Sequence, residues 1–436
     1  MKFTSGIAHR ARRPIVLWVA VIVVHLWLGV LNLTADGMPL GDVTLVYRYW
    51  TDQVRAADFW VGIDAEWVYP ILAIFPMLAV TIFGPENNEG AWLTLVLTLN
   101  AAAFAAIIGW RAPARRPLAA WWWLGFLVLL GPIAMGRIDA ITIPLAIIGV
   151  LIAVKHPLAA TLLFTVGAWM KVWPAALVCA LVVTLRDRWR ILGTAIGISA
   201  AIIGVALLYG SGANVLSFLW QHTGRGLQVE AVVTTPWLWQ AFAGQPDTEV
   251  YYSHDILTYQ VSGAGVEVLS ALMTPLLVLA VLALTLTAVL AVSRGAQPTD
   301  LIAPLSLALV TALIVFNKVG SPQIMSWLAP PVILGLALGA RGAGRSFGIP
   351  AILSLAIAAL TQVIYPYLYG WLLALDPAML AAITVRNAML IVLLGWSVAV
   401  LVRLAAGPPR PFRSSAPGAT AADDRSERGS LDATRG

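Results

Sequence analysis

Between Asp36 and Glu66 the chain sets Asp42, Asp52, Asp58 and Asp64 among Tyr47, Tyr49, Trp50, Trp60 and Trp67, which puts six of its 21 acidic residues in one short stretch. A carboxylate can take a proton from a hydroxyl, and an aromatic face can carry a sugar or lipid ring, so this pattern suits group transfer to an alcohol. A second set is cationic: Arg137, Lys171, Lys318 and Arg386 fall at the ends of apolar runs, with Asp139 beside Arg137. Charge at membrane depth is costly and marks functional candidates, and cations drawn from separate segments suit a phosphate held without metal. The bland alternative for each is a snorkelling or ion-paired anchor at a helix end, and for Asp42 a helix cap after Gly41. The stretch from Gln221 to Glu230 adds His222, Arg225, Gln228 and Glu230. Arg225 is the better anion ligand of these, while His222 offers a ring that titrates near neutrality. Trp237, Trp239, Tyr251 and Tyr252 further along serve either as stacking platforms or as an interfacial aromatic belt.

The elements that position these residues must be membrane helices. With 60% hydrophobic and 11% charged residues over 436 positions and a mean hydropathy of +0.85, the chain is too apolar for a soluble domain. Its net charge of +6 comes from short Arg clusters between apolar runs, a sign of membrane orientation and not of a nucleic-acid surface. The single cysteine, Cys179, lies in an apolar run, which leaves no disulfide framework and no thiol metal site. No GxxxxGK[ST], HExxH, CxxC or GxSxG occurs, so nucleotide hydrolysis, zinc peptidase, thiol redox and serine hydrolase chemistry have no support.

A crossing helix needs about 20 apolar residues. Twelve candidate spans lie near 15–34, 91–110, 118–135, 140–154, 158–170, 173–185, 191–210, 266–292, 301–316, 324–340, 349–369 and 379–402. Segment 69–83 is read as interfacial, because a crossing there would carry the basic turn Arg111, Arg115 and Arg116 to the outside. The expectation is an all-α polytopic membrane protein of about 12 transmembrane helices with an outer-face juxtamembrane segment in the first loop. Residues 1–14 are a basic cytoplasmic N-terminus, 15–402 the transmembrane domain with outer loops 35–90 and 211–265, and 403–436 a disordered cytoplasmic tail. The run Ile15–Leu33 is a retained span and not a signal peptide. Several helices around Gly136–Asp139 and Met170–Pro174 are short, so these turns are expected to sit sunk in the membrane face and line a cavity.

Three segments together resemble the GT-C superfamily of glycosyltransferases that use polyprenyl-phosphate sugars, and within it the family 87 mannosyltransferases of actinobacteria. They are Asn317-Lys318-Val319-Gly320-Ser321-Pro322-Gln323 followed by Trp327-Leu328-Ala329-Pro330; His222, Arg225, Gln228 and Glu230; and Gly41-Asp42 with Tyr47 and then Tyr69-Pro70. Gly136-Arg137-Ile138-Asp139 and Lys171 with Pro174 extend the likeness through 15–402. The resemblance implies a catalytic carboxylate in the first outer loop, at Asp42, with Glu66 in reserve. It implies donor-phosphate ligands at Lys318, Lys171, Arg137 and Arg225, with Arg386 weaker, and substrate contacts at Tyr47, Tyr69, Asp139, His222, Gln228, Glu230, Asn317 and Gln323. The implied partners are a polyprenyl-phosphate sugar donor, with mannose first and arabinose second, a glycolipid or lipoglycan acceptor, and the plasma-membrane bilayer. No cofactor is required, although the loop acids would admit a divalent cation. Two other classes stay open: a transporter or flippase of lipid-linked sugars, and a non-catalytic subunit of an envelope-building complex.

Overall fold

The computed structural model describes residues 12–109, 114–221, 225–342 and 344–407. In chain order the helices are α1 (Pro14–Thr34), α2 (Arg48–Ala57), α3 (Ile74–Val80), α4 (Asn88–Ile108), α5 (Pro117–Leu130), α6 (Asp139–Ile152), α7 (Pro157–Ala168) and α8 (Ala175–Thr184). They continue as α9 (Arg188–Leu208), α10 (Thr235–Phe242), α11 (Val266–Ser293), α12 (Pro298–Val315), α13 (Ala329–Gly339), α14 (Gly348–Gln362), α15 (Tyr369–Leu373) and α16 (Pro377–Ala406). Proline opens α1, α5, α7, α12 and α16. At that position the missing N–H costs no intrahelical bond and the fixed φ favours helix. Asp376 also caps α16, accepting from the N–H groups of Ala378 and Met379.

Among the described residues, eight helical segments are long and apolar enough to cross a membrane: α1, α4, α9, α11, α12, Pro322–Gly339, Gly348–Tyr367 and α16. The protein is therefore a multi-span, helical membrane protein. Its surface agrees with that solvent: α1, α9 and α11 turn Ile22, Leu26, Ile196, Leu279 and Leu286 outward, which water would penalise and lipid tails accept. The interior is held by α12, enclosed by α8, α11, α13 and α16, and by α6, packed against α4, α7 and α13. Helices α5 to α8 have 14, 14, 12 and 10 residues, roughly 15–21 Å at 1.5 Å per residue and short of an average bilayer core. The turns that join them carry buried Ile133, Ile138 and Trp173, so they are sunk into the bundle as their shortness suggested.

Two expectations need adjustment. The long loop after α9 holds a β-hairpin, β1 (Val250–Ser253) antiparallel to β2 (Thr258–Val261), with Tyr251 opposite Gln260. Its Val, Tyr and Thr residues favour strand over helix. The last helix runs on to Ala406, beyond the expected end at 402, and the Ala405 carbonyl accepts from Arg294 Nη1 at 2.6 Å. His222, most of the basic N-terminal segment and nearly all of the expected tail lie outside the described residues.

The long loop meets the turn after α12 through one close backbone approach. A Cβ at Gly320 would fall 2.0 Å from the Glu230 carbonyl carbon and 2.1 Å from the Ala231 nitrogen. Only a residue without a side chain fits there. Gly320→Ala is therefore expected to lower the unfolding midpoint of the detergent-solubilised protein, at a cost of about 1–3 kcal/mol. Gly197→Ala on α9, where nothing lies within 4 Å of an added Cβ, should hold or raise the midpoint. Equal midpoints for the two variants would remove the packing argument.

Candidate functional site

Asp42 opens a π-helix, Asp42–Tyr47, that runs directly into α2. A π-turn holds one more residue than an α-turn, and such turns recur at functional sites. Here it sends Tyr47 inward, 2% exposed, where the phenol oxygen accepts from the Ile138 N–H at 3.0 Å. Asp42 stays at the rim, its side chain 30% exposed and its Oδ2 3.0 Å from Arg137 Nε. The same guanidinium donates to the Gly136 carbonyl at 2.9 Å, to the Tyr365 hydroxyl at 3.4 Å and to the Pro39 carbonyl. These bonds need the backbone at 136 to lie against that at 39, and a Cβ on Gly136 would fall 2.4 Å from the Pro39 oxygen. Burial alone would lower the Arg137 pKa, but Asp42 and the phenols of Tyr365, Tyr47 and Tyr69 outweigh it and raise it.

The structure separates Asp42 from the five acids around it, all of which are exposed. Asp52 pairs loosely with Arg48 one turn away at 3.8 Å. Asp64 accepts from the Trp60 N–H at 2.6 Å and Asp58 from Trp60 Nε1 at 3.2 Å, so both close local turns. Glu66 is taken by the other loop, accepting from Trp220 Nε1 at 3.2 Å and from Gln221 Nε2. Tyr47, Trp50, Trp67 and Tyr69 are packing rather than open platforms, while Tyr49 is exposed. Tyr47 and Trp67 are 2% and 3% exposed, and Tyr47, Trp50, Trp67 and Tyr69 meet one another in a cluster that also holds Trp92. Such pairs add about 0.5–1.5 kcal/mol each beyond area burial, which fixes the loop against α4.

Lys171, in the turn between α7 and α8, puts its Nζ 4.5 Å from the centre of the Tyr69 ring, a cation–π contact. Burial pulls the ammonium down, but Tyr69, Asp139 and Asp42 together raise its pKa against that and against Arg225. Asp42, Arg137, Lys171, Tyr47 and Tyr69 thus form one electrostatic cluster drawn from three separate loops. Arg225 reaches the same field through Tyr69. Its Nε is buried without a hydrogen-bond partner, and burial lowers its pKa.

Arg225 and Lys318 together line a cavity of about 610 Å³ between β2, the start of α11 and the turn after α12. Tyr251, Gln260, Ser262, Glu267 and Ser270 complete its polar wall. Burial lowers the Lys318 pKa. The turn that carries Lys318 is fastened to the long loop: Gln228 N–H donates to the Lys318 carbonyl at 3.0 Å, and Gln228 Oε1 accepts from Gly320 N–H at 3.1 Å and Ser321 Oγ at 3.3 Å. Asn317 Oδ1 accepts from Val319 N–H at 3.0 Å, closing the turn, and Gln323 is partly exposed beside it. Below this clasp Arg386, with no exposed side-chain surface, lies 3.7 Å from Glu230, donates to the Glu230 carbonyl and holds Asn387 Oδ1 at 2.9 and 3.1 Å. Asp139, 1% exposed, accepts from Trp327 Nε1 at 2.6 Å. Asp139, Gln228, Glu230 and Arg386 therefore meet protein in this structure and do not line that cavity.

Sequence reasoning missed Tyr365, whose hydroxyl joins Arg137 to the Gly37 carbonyl at 3.3 Å, and Trp327 and Trp173, which stack 5.7 Å apart beside Asp139. The tryptophans stand within the segments already singled out; Tyr365 sits in a Tyr-Pro-Tyr run that interrupts an apolar span, and that interruption was its signal. Among the described residues no three His, Cys, Asp or Glu side chains come together as a metal site.

Burial pushes the Glu230 carboxyl up to about 7, against the opposing pull of Arg386. A carboxyl raised in the fold adds its full stability below its ordinary value of 4.5 and loses it as pH rises through about 7. The unfolding midpoint is expected to fall from about pH 5 to about pH 8, with a slope of up to roughly 1.4 kcal/mol per pH unit. Glu230→Gln should flatten that slope, and a slope unchanged by the substitution would assign it to another group. No protein-family model, no curated protein and no solved structure matches this chain.

Proposed function

We propose that the protein is a membrane glycosyltransferase of the GT-C kind, similar to family 87. It moves a sugar, mannose before arabinose, from a polyprenyl-phosphate donor to a hydroxyl of a glycolipid or envelope glycan. In this reading the twelve apolar helices of the sequence cross the plasma membrane, both termini are cytoplasmic, and the loops carrying Asp42, Arg137, Lys171, Arg225 and Lys318 face outward. The observation that carries the proposal is that one acid of six, Asp42, is drawn into a cation cluster, 3.0 Å from Arg137, while Arg225 links that cluster to the cavity it shares with Lys318.

The chemistry asks for a base at the acceptor and positive charge at the leaving group. Arg137 holds Asp42 Oδ2, so the carboxylate is oriented with its exposed edge toward the acceptor hydroxyl. As the acceptor oxygen bonds to the anomeric carbon, its proton passes to Asp42 and the bond from that carbon to the phosphate oxygen breaks. The lipid phosphate leaves with an added negative charge, which Arg225 and Lys318 meet in the cavity and Lys171 meets from the Tyr69 side. One displacement inverts the anomeric centre, so a β-linked donor gives an α-glycoside. The hydroxyl- and amide-lined wall of the cavity suits a polyol beside the phosphate.

Asp42→Asn keeps the size of the side chain and removes its basicity. Membranes carrying it should incorporate label from a polyprenyl-phosphate mannose donor into glycolipid about 10²–10⁴-fold more slowly, at unchanged protein level. Arg225→Ala and Lys318→Ala should mainly raise the KM for the donor. Full transfer by Asp42→Asn would sink the assignment, and a translocation defect with unchanged covalent product would favour a transporter.

A further inference from the structure

The cavity shared by Arg225 and Lys318 has walls from distant parts of the chain, and Gln228, which does not line it, is bonded to both. One wall is β2, with Gln260 and Val261, and the stretch that begins at Arg225; the other is the turn that carries Lys318. Residues 227–229 lie antiparallel along β2, with Gln228 opposite Gln260. The Val261 N–H donates to the Leu227 carbonyl at 3.1 Å and the Val229 N–H to the Tyr259 carbonyl at 3.2 Å. In an extended strand the backbone groups of successive residues point to opposite edges. With 227 and 229 facing β2, residue 228 presents its N–H to the other edge, and there it donates to the Lys318 carbonyl at 3.0 Å.

The side chain reaches the same turn. Gln228 is 8% exposed, and its Oε1 accepts from the Gly320 N–H at 3.1 Å and from Ser321 Oγ at 3.3 Å. Three bonds thus run from one residue to positions 318, 320 and 321, on the side away from β2. Arg225 is tied separately, its carbonyl accepting from Ser270 Oγ on α11 at 2.9 Å. The separation of the two cations is therefore set across Gln228. A phosphate is bound best by cations already at their working distance, because little ordering is then left to be done on binding. We propose that Gln228 is a positioning residue for anion binding: without touching the ligand, it sets the Lys318 turn against the Arg225 strand so that both cations meet one phosphate group. That this phosphate belongs to the sugar donor rests on the transfer reading; the tie between the two walls does not.

The test is a double-mutant cycle on purified full-length protein in detergent, read by calorimetric titration with mannosyl phosphate carried on a short prenyl chain. Gln228→Met keeps the length of the side chain and removes its acceptor. It should weaken binding about tenfold alone and less than about twofold when Lys318→Ala is also present, because residues that act through one another are not additive. In transfer assays Gln228→Met should raise the donor KM by a similar factor and leave kcat nearly unchanged. The same loss in both backgrounds overturns the proposal, since a general loosening of the fold does not depend on Lys318. So does no loss at all. If Gln228→Met does not fold, Ser321→Ala decides in the same cycle, with a loss of about threefold expected and additivity again the contrary result. Native affinity in Lys318→Ala removes the phosphate site and the role of Gln228 together. Additive losses alongside a weakened Lys318→Ala overturn the role of Gln228 alone and leave the transfer reading in place. If Asp42→Asn proves fully active while the coupling is present, the transfer reading fails and the role of Gln228 stands.

Discussion

The cost of a charge removed from water governs how this molecule is assembled. In a chain with so few ions and so much lipid-facing surface, three cations taken from water are found with something to answer them: Arg137 with Asp42, Arg386 with Glu230, and Lys171 with the Tyr69 ring. Each of these contacts spans segments far apart in the chain, so the requirement for pairing draws loops together that apolar packing alone would leave indifferent. Between helices in lipid the hydrophobic drive is weak and association falls to packing and polar contacts. The ion pairs therefore do for the loops what close packing does for the helices.

Backbone proximity is the second condition. Arg137 can reach Asp42 because Gly136 lets its turn lie on Pro39, and Lys318 is carried to the cavity because Gly320 lets its turn lie on Glu230 and Ala231. Both glycines precede or follow a functional cation closely, and both are needed for what they lack. The aromatic cluster around Tyr47 performs the complementary task, filling the space behind Asp42 so that the π-helix has a rigid floor.

The helices were legible in the sequence because apolar runs bounded by Arg clusters, Pro and Gly leave little choice of solvent. The concentration of charge at Asp42, Arg137, Lys171 and Lys318 was legible for the same reason. Other assignments turned on geometry that spacing does not encode. Asp139 at a span end and Glu230 in the long loop look like any polar residue until burial shows that protein surrounds them. The rings at Tyr47 and Trp67 read equally well as exposed platforms or as core, since a ring suits both. The hairpin at 250–261 was lost inside a long loop, its strands too short to signal above the apolar background. Glu66 was legible as an acid but not as one that Trp220 and Gln221 occupy.

The π-helix at Asp42–Tyr47 carries a consequence for how the chain tolerates change in length. Successive residues of an α-helix are turned about 100° from one another. Deleting a single residue between Asp42 and Tyr47 would relax the wide turn into an ordinary one and swing either the carboxylate away from Arg137 or the phenol away from Ile138. The residues from Arg55 to Asp58 are exposed and face no such demand. Indels are thus barred from one side of α2 and admissible on the other, a boundary drawn by one extra residue in a turn.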